Sequence, residues 1–520
     1  MEDGSRTSIS SSNWMRAAMP SSADLIFIAL LGVLVFTPLS VKLLGDAGIG
    51  WHIRTGQQIL ATHAIPRVDS FSSSMQGRPW FAWEWLYDVI AGWFDARLGL
   101  NGVAWFTAVL IGSVFAGMFR WILKRGTNML AALVLTLLAI SASMIHFLAR
   151  PHVVSWGLAL AWFWILDGFE RRGEGHRSIW ILPGLMVVWV NVHGGFVLGL
   201  VLLGIFWLGA VWERWTAKEA TMEGSLRKIA ALKRARVLTG VGVLCAAASL
   251  VNPYGWKLHE HVYSYLTNRF LMDHIEEFQS PNFHGVSQKC FAILLLVALA
   301  VLAARGRELR VSGVLIVLFS VYSGLYAARN IPVSSVLLVL VIAPLLTSVP
   351  LAAGYFRRMA GIELGARRHL WPALAVVGTL LIVANSGRVG SDQIADAHFD
   401  AKRMPAQAVD YLQKQGMRGP ILSTDSWGGY LIYRLYPEAR VVVDDRHDLY
   451  GEEFLKSYLK MIRVERGWQE FLDAHESSCV VLPRDSALAN VLIASGQWAT
   501  VYADEVAAVF VRRSMVARFE

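Results

Sequence analysis

Residues 43–60, LLGDAGIGWHIRTGQQIL, end the first apolar run of a 520-residue chain on an acid, an imidazole and a guanidinium: Asp46, His52 and Arg54. These side chains exchange protons and bind anions. Similar groups recur along the chain: Asp69 and Glu84 in the same loop, His146, Arg150 and His152 in HFLARPHVVS, and Asn191 and His193 in WVNVHGGF. Asn252 and Tyr254 follow in VNPYGW, then Arg329 and Asn330 in YAARNIP. Apart from Asp69 and Glu84, which lie further along the first loop, these groups stand at the ends of apolar runs. At membrane depth such groups are costly unless they face one another or a water-filled cavity.

The elements that position them are membrane spans. The chain is 55% hydrophobic and only 17% charged, with a mean hydropathy of +0.44. That excludes a soluble protein of this size and implies a polytopic membrane protein. The first run, Leu25 to Leu44, is long enough to span, and no small-residue cleavage site follows it, which argues against a cleaved signal peptide. Windows of roughly 19 residues predict spans near 23–44, 101–121, 129–148, 153–169, 179–192, 195–213, 237–251, 290–304, 311–327, 332–348 and 370–386.

With the N-terminus inside, the inner loops hold Arg120/Lys124/Arg125, Arg171/Arg172/Arg177, the basic stretch from Arg214 to Arg236, Arg305/Arg307/Arg310 and Arg357/Arg358/Arg367/Arg368. The outer loops are longer in total and hold fewer cations, which is the positive-inside asymmetry. The net charge of +9 is therefore topogenic, and nucleic acid is not an expected partner. Cys245, Cys290 and Cys479 have no paired spacing, so neither a disulfide framework nor a thiolate metal site is indicated.

An odd number of spans places the tail outside, where GPILSTDSWGGYLIYRL reads as strand, turn and helix and ARVVVDDRHDLY as a strand ending in acids. Helices near 451–463 and 466–476, the strand CVVLP, a helix from Ser486 and paired strands ATVYAD and AAVFVRR follow, together an α/β domain. The predicted organisation is a disordered inner tail over 1–21, a membrane domain over 22–388 with an outer juxtamembrane loop at 45–100, and an extracytoplasmic α/β domain over 389–520.

This topology puts the unusual polar residues at outer turns, all five of which carry at least one. A polar cavity opening to the outer face accounts for the agreement. Each residue also has a structural reading. Asn252 before Pro253 suits a turn, Asn191 and His193 suit the cap of a helix pair, and Arg150 suits a side chain reaching lipid headgroups. His146 reads as a core histidine, and Asp46 as an N-cap. Tryptophans 51, 80, 83, 85 and 93 in loop 45–100 belong half-wet at the membrane interface, with the helical pieces of the loop lying flat on the outer leaflet.

The segments DAGIGWHIRTGQQIL, IPRVDSFSSSMQGRPWFAWEWL, RPHVVSW, WVNVHGGFVLG and NPYGW resemble a group of bacterial membrane proteins regarded as members of the GT-C glycosyltransferase fold. In that fold, shared by protein mannosyltransferases, the aminoarabinose transferase of lipid A and oligosaccharyltransferases, polytopic enzymes take sugars from polyprenyl-phosphate carriers. The resemblance covers most of the chain, and its defined chemistry lies in the first loop. It implies a GT-C-like α-helical polytopic fold of about eleven spans, with the C-terminal α/β domain outside.

Carried onto this chain, the resemblance implies that Asp46 is the catalytic base, standing where the family's aspartate leaves the first span. A carboxylate at the mouth of a low-dielectric cavity is a stronger base than one in water. The leaving polyprenyl phosphate needs cations, for which Arg150 and Arg329, and then His152, are the candidates. His52, Arg54, Asp69, Glu84, Asn191 and His193 are expected to support the site or the acceptor. Characterised members often carry an acidic pair where this chain has Asp46 followed by Ala47, so a divalent cation (Mg or Mn) is allowed without ligands being fixed. In the tail, STDSWGGYLIYR is distantly similar in layout to the acceptor-holding segment of oligosaccharyltransferases. There, Asp444, Asp445, Arg446 and Asp448 suit either a cation or sugar site or a solvated loop with local Arg–Asp pairs. Trp427 and Tyr430 suit either a sugar-stacking role or the domain core.

The expected function is an inner-membrane, inverting glycosyltransferase whose partners are a polyprenyl-phosphate sugar donor, membrane lipid and an extracytoplasmic acceptor (lipid, glycan or protein). The expected location is the bacterial cytoplasmic membrane, with the C-terminal domain periplasmic or extracellular. One alternative is a transport-type protein that handles lipid-linked sugars, against which the spans show neither repeated halves nor mid-helix acids. The other is a non-catalytic relative whose tail binds exopolysaccharide or a partner enzyme.

Overall fold

A computed structural model describes residues 19–173, 176–217, 221–347, 353–365, 370–475, 477 and 479–518. Most of the expected inner tail, part of the 214–236 basic stretch, and Arg367 and Arg368 lie outside these. The helices that build the site, in order, are α1 Ser22–Phe36, α2 Ile49–Thr62, α3 Trp85–Lys124, α4 Met129–Ser143, α5 His152–Arg172 and α6 Leu182–Val192. They continue as α7 Phe196–Thr216, α8 Met222–Ala248, α9 Trp256–Thr267, α10 Val286–Arg305, α11 Val311–Tyr326, α12 Ile331–Ile342 and α13 Leu370–Ala384.

Among the described residues, each of the eleven predicted spans falls largely on helix. Among the described residues, six helices, counted with the short turns that extend them, are long and apolar enough to cross a membrane, and a bent pair ending in α13 makes a seventh. α1, α11 and the stretch Arg177–Val192 are apolar but shorter. The protein is a multi-pass membrane protein.

Local sequence explains how the first loop is shaped. α1 opens on a reciprocal cap, Asp24 N–H donating to Ser21 Oγ at 3.1 Å and Ser21 N–H to Asp24 Oδ2 at 2.9 Å, which satisfies two donors that a helix start leaves free. α2 and the start of α3 cross where Gly56 meets Gly92, and a Cβ on Gly56 would run into the Asp88 carbonyl. Two glycines let the backbones approach that closely. Within α3, Gly99 at φ 63° breaks the helical geometry, so the amphipathic first part turns there into the spanning part. Between α2 and α3 the chain folds on itself, Asp69 N–H donating to Arg78 O and Trp80 N–H to Arg67 O, both at 2.9 Å.

The C-terminal segment forms a five-stranded sheet. Its strands are β1 Pro420–Ser423, β2 Arg440–Val441, β3 Cys479–Pro483, β4 Trp498–Ala503 and β5 Ala507–Arg512, ordered β2-β1-β3-β5-β4. β1 pairs parallel with β2 and β3, and β5 pairs antiparallel with β3 and β4. Helices α14 Asp425–Leu435, α15 Glu452–Ile462, α16 Trp468–Ala474 and α17 Ala487–Ala494 connect them, close to the expected pattern. β2 is much shorter than the predicted strand, because pairing with β1 ends at Ile421–Val441.

The edge left beyond β2 is covered by the first loop. Ser72 forms a parallel bridge with Val441, Ser73 N–H donates to Val441 O at 2.8 Å, and Ser74 Oγ donates to Val442 O at 2.6 Å. The loop thus extends the sheet by one rung and shields an edge that would otherwise present free backbone groups.

Candidate functional site

The sheet and the loop are tied together by Arg446. It pairs with Asp444 through Nη2 at 2.7 Å and with Asp69 through Nη1 at 2.8 Å, and all three side chains are buried. The guanidinium also lies over Trp80, 4.7 Å from the ring centroid, and faces Phe71 and Trp51. Against its burial, the Asp444 and Asp69 charges hold Arg446 firmly protonated, and the Arg446 charge keeps Asp69 below its ordinary value although burial opposes it.

This corrects two expectations. Trp51 and Trp80 are buried rather than half-wet, because the C-terminal segment covers them. α2 is enclosed by α3 on one side and α14 on the other. A Cβ on Gly50 would strike the Gly429 carbonyl, and Arg54 Nε donates to Tyr433 O at 2.9 Å.

Asp46, which leaves the first span, is held from two directions. Its Oδ1 accepts from Gly48 N–H at 2.8 Å, and its Oδ2 accepts from Arg150 Nη1 at 2.7 Å. Arg150 Nη2 reaches Asp445 Oδ2 at 3.2 Å, and Asp445 Oδ1 accepts from Trp51 Nε1 at 3.0 Å. Arg150 therefore bridges a carboxylate of the first loop and one of the C-terminal segment. A Cβ on Gly48 would fall among Asp445 Oδ2, Arg150 Nη2 and Asp46 Oδ1, so glycine there leaves the trio its space. Burial, reinforced by Asp46 and Asp444 and opposed by Arg150, raises Asp445 to about 7.

A second cluster surrounds Glu84. His52 Nδ1 is 2.6 Å from Asp88 Oδ1, and its Nε2 faces Glu84 Oε2 at 3.8 Å. His193 Nε2 faces Glu84 Oε1 at 3.7 Å. Gly195 N–H donates to His193 Nδ1 at 3.1 Å, so Nδ1 is an acceptor and the neutral ring carries its proton on Nε2, toward Glu84. The Ser155 hydroxyl, 2.8 Å from the same Nδ1, itself accepts from Trp189 Nε1 at 2.7 Å. Burial, then Arg329 and Arg150, lowers His193 to about 3, while burial raises Glu84 to about 8 against the pull of Arg150 and Arg329.

A third pair, Arg329 and Glu277, stands at 3.2 Å, with Arg329 over the Phe278 ring at 4.5 Å. Although burial opposes it, Arg329 and then Arg150 hold Glu277 down at about 2. The three clusters lie within electrostatic reach of one another, since Arg150 acts on Glu84 and Glu277 as well as on its own partners. Their side chains keep some solvent contact, Asp46 at 27% exposure and Arg329 at 28%. Asp448 bonds His261 Nε2 at 3.0 Å beside them. Together they form a polar recess between the helix ends and the C-terminal segment.

The sequence-predicted residues divide in two. Asp46, Arg150, Arg329, His52, Glu84 and His193 gather in this recess. Asn191, Asp69 and Arg54 make structural bonds: Asn191 Oδ1 accepts from Trp85 Nε1 at 2.8 Å, Asp69 accepts from Ser72 Oγ at 2.6 Å and pairs with Arg446, and Arg54 also reaches Gln57 Oε1 at 3.0 Å. His152 donates from Nε2 to His146 O at 3.0 Å. Trp427 and Tyr430 are buried in the core. Asp88 and Glu277 escaped sequence reading, the first inside an amphipathic helix and the second among ordinary loop charges. Asp445 is legible in the sequence only as an acid at a strand end, with nothing local to tie it to Arg150.

Among the described residues no three His, Cys, Asp or Glu side chains are grouped to hold a metal ion. No protein-family model and no curated protein matches the chain. Among solved structures it is similar to ArnT from Cupriavidus metallidurans in the apo state, with 12% identity over 96% of this chain and 98% of that one and a TM-score of 0.49. At that identity and score the likeness bears on neither activity nor residue roles.

Proposed function

We propose that the chain is a GT-C-type membrane glycosyltransferase that moves a sugar from a polyprenyl-phosphate carrier to an extracytoplasmic acceptor by inverting displacement. The membrane domain over 22–388 presents the carrier, and the segment over 389–520, on the outer side of a bacterial inner membrane, closes the site. Asp46 takes the proton of the acceptor hydroxyl as that oxygen bonds to the anomeric carbon. The bond from that carbon to the phosphate oxygen breaks, and its electron pair leaves with the phosphate. One displacement inverts the centre.

The observation that carries this reading is the Asp46–Arg150 pair at 2.7 Å, with Arg329 in electrostatic reach of the same recess. It sets a base next to a cation able to meet the phosphate charge. Each Arg150 Nη nitrogen has a second N–H beyond the one given to a carboxylate, so the guanidinium can add a phosphate oxygen without releasing Asp46. Such preorganised donors supply much of the stabilisation in charge-developing steps. Asp445, held by the same guanidinium at 3.2 Å, ties the pair to the C-terminal segment.

The test uses purified protein in nanodiscs with a panel of polyprenyl-phosphate sugars and mass spectrometry of the carrier. Sugar loss from one donor supports the reading. Specific binding of a donor without release moves the weight to lipid handling.

A further inference from the structure

Both ring nitrogens of His52 point at carboxylates. Nδ1 lies 2.6 Å from Asp88 Oδ1, and a single proton on that nitrogen satisfies the contact. Nε2 is buried, has no hydrogen-bond partner, and faces Glu84 Oε2 at 3.8 Å. With Nδ1 protonated, Nε2 offers only a lone pair. An ionised Glu84 would set its own lone pairs against it, in a place where an unpaired polar atom costs roughly 1–3 kcal/mol. One further proton removes the conflict, held either by Glu84 facing Nε2 or by Asp88 facing Nδ1 with the imidazole proton moved to Nε2. Glu84, just before α3, and Asp88, one turn into it, then carry one negative charge between them instead of two.

We infer that Glu84, His52 and Asp88 form a proton-sharing relay on the wall of the recess, in which Glu84 offers a neutral carboxylic acid as hydrogen-bond donor to an anionic phosphate ester. Without ligand, the Glu84 O–H points to His52 Nε2, and His52 Nδ1–H to Asp88. With ligand, the same O–H turns to a phosphate oxygen, and no bond between heavier atoms changes. His193, fixed with its proton on Nε2, supports the other Glu84 oxygen from 3.7 Å. An anion in the recess would otherwise meet Glu84 as a second negative charge, which a neutral acid avoids.

The groups that act on Glu84 come from several elements: His52 on α2 and Asp88 on α3, His193 before α7, Arg150 before α5, Arg329 before α12, Glu277 before α10, and Asp448 of the C-terminal segment. Burial outweighs the two arginines, which leaves Glu84 titrating near 8. The phosphate half of the inference rests on the proposed carrier chemistry; the relay itself does not.

Two measurements separate the halves. In the first, infrared spectra of the full chain in nanodiscs, without ligand, follow the carboxylic-acid carbonyl band from pH 6 upward. The wild type should lose one such band near pH 8, and Glu84→Gln should lack it from the start. A wild type with no carboxyl band whose midpoint lies near pH 8, or a band of that midpoint that persists in Glu84→Gln beside the lower-titrating Asp445, overturns the relay. Should that variant fail to fold, Glu84→Asp must move the midpoint of the band, and an unmoved midpoint overturns the relay equally. In the second, farnesyl phosphate is bound to wild type and Glu84→Gln across the same pH range. Relative to the variant, whose pH dependence comes from the phosphate and from the other recess groups such as Asp445, the wild-type Kd should rise about tenfold per pH unit above the midpoint. Equal dependence in both overturns the phosphate half. Absence of binding at every pH contradicts the carrier reading together with that half, and the infrared result still decides the relay.

Discussion

Arg150 Nη1 lies 2.7 Å from Asp46 Oδ2, joining the turn before α5 to the turn before α2 across 104 residues of sequence. The pair is shaped by the glycine at 48. Gly48→Ala would place a methyl group among Asp445 Oδ2, Arg150 Nη2 and Asp46 Oδ1. The ends of those side chains can give way, so the fold should persist, with a melting temperature within a few degrees of wild type. Sugar transfer should fall more than about tenfold, because small displacements of positioned groups are expensive in the reaction. Melting curves and initial rates on the same preparation check both parts.

Arg446 should matter for stability more than for chemistry. Removing it leaves Asp69 and Asp444 buried without their cation, a loss of about 3–5 kcal/mol for a buried pair. Arg446→Ala is expected to melt far below wild type and to expose the first loop to protease. Arg446→Lys should recover little, since one ammonium cannot reproduce the contacts that Nε, Nη1 and Nη2 make.

Glu277 makes a pH-dependent contribution whose sign follows from its lowered pKa. Its carboxyl titrates at about 2 in the fold against an ordinary 4.5, so the stability it adds is complete above about pH 4.5 and is lost as pH falls toward 2. The side chain is 35% exposed, so solvent screening limits the worth to about 1 kcal/mol or less. Glu277→Gln should flatten the melting-temperature profile in that acid window. The same variant frees Arg329 and should tighten binding of farnesyl phosphate several-fold at neutral pH, measured by titration of the nanodisc-embedded protein.

How much of this was legible beforehand depended on whether the cause was local. The strands CVVLP and AAVFVRR announced themselves by apolar β-branched runs between breakers, and the eleven apolar stretches by composition alone. The recess was legible in part, because Asp46, Arg150, His193 and Arg329 all sit at turns that one topology puts on one side. The burial of Trp51 was not, since it is covered by Asp445 and Arg446, nearly four hundred residues later. Asp88 reads as the polar stripe of an amphipathic helix, and only its distance to His52 reveals another use. The pairing of Asp69 with Arg446 is not legible in the sequence either, because the two are equally remote along the chain.

The base assignment is the central claim, and Asp46→Asn tests it most directly. The substitution keeps the shape of the side chain and an oxygen for Arg150, and removes the carboxylate that takes the proton. With the donor that wild type turns over, carrier release should fall by about 10²–10⁴-fold, the span typical of general-base loss, while donor binding and melting temperature stay near wild type. Transfer at an undiminished rate in Asp46→Asn would contradict the account and require another residue of the recess as base.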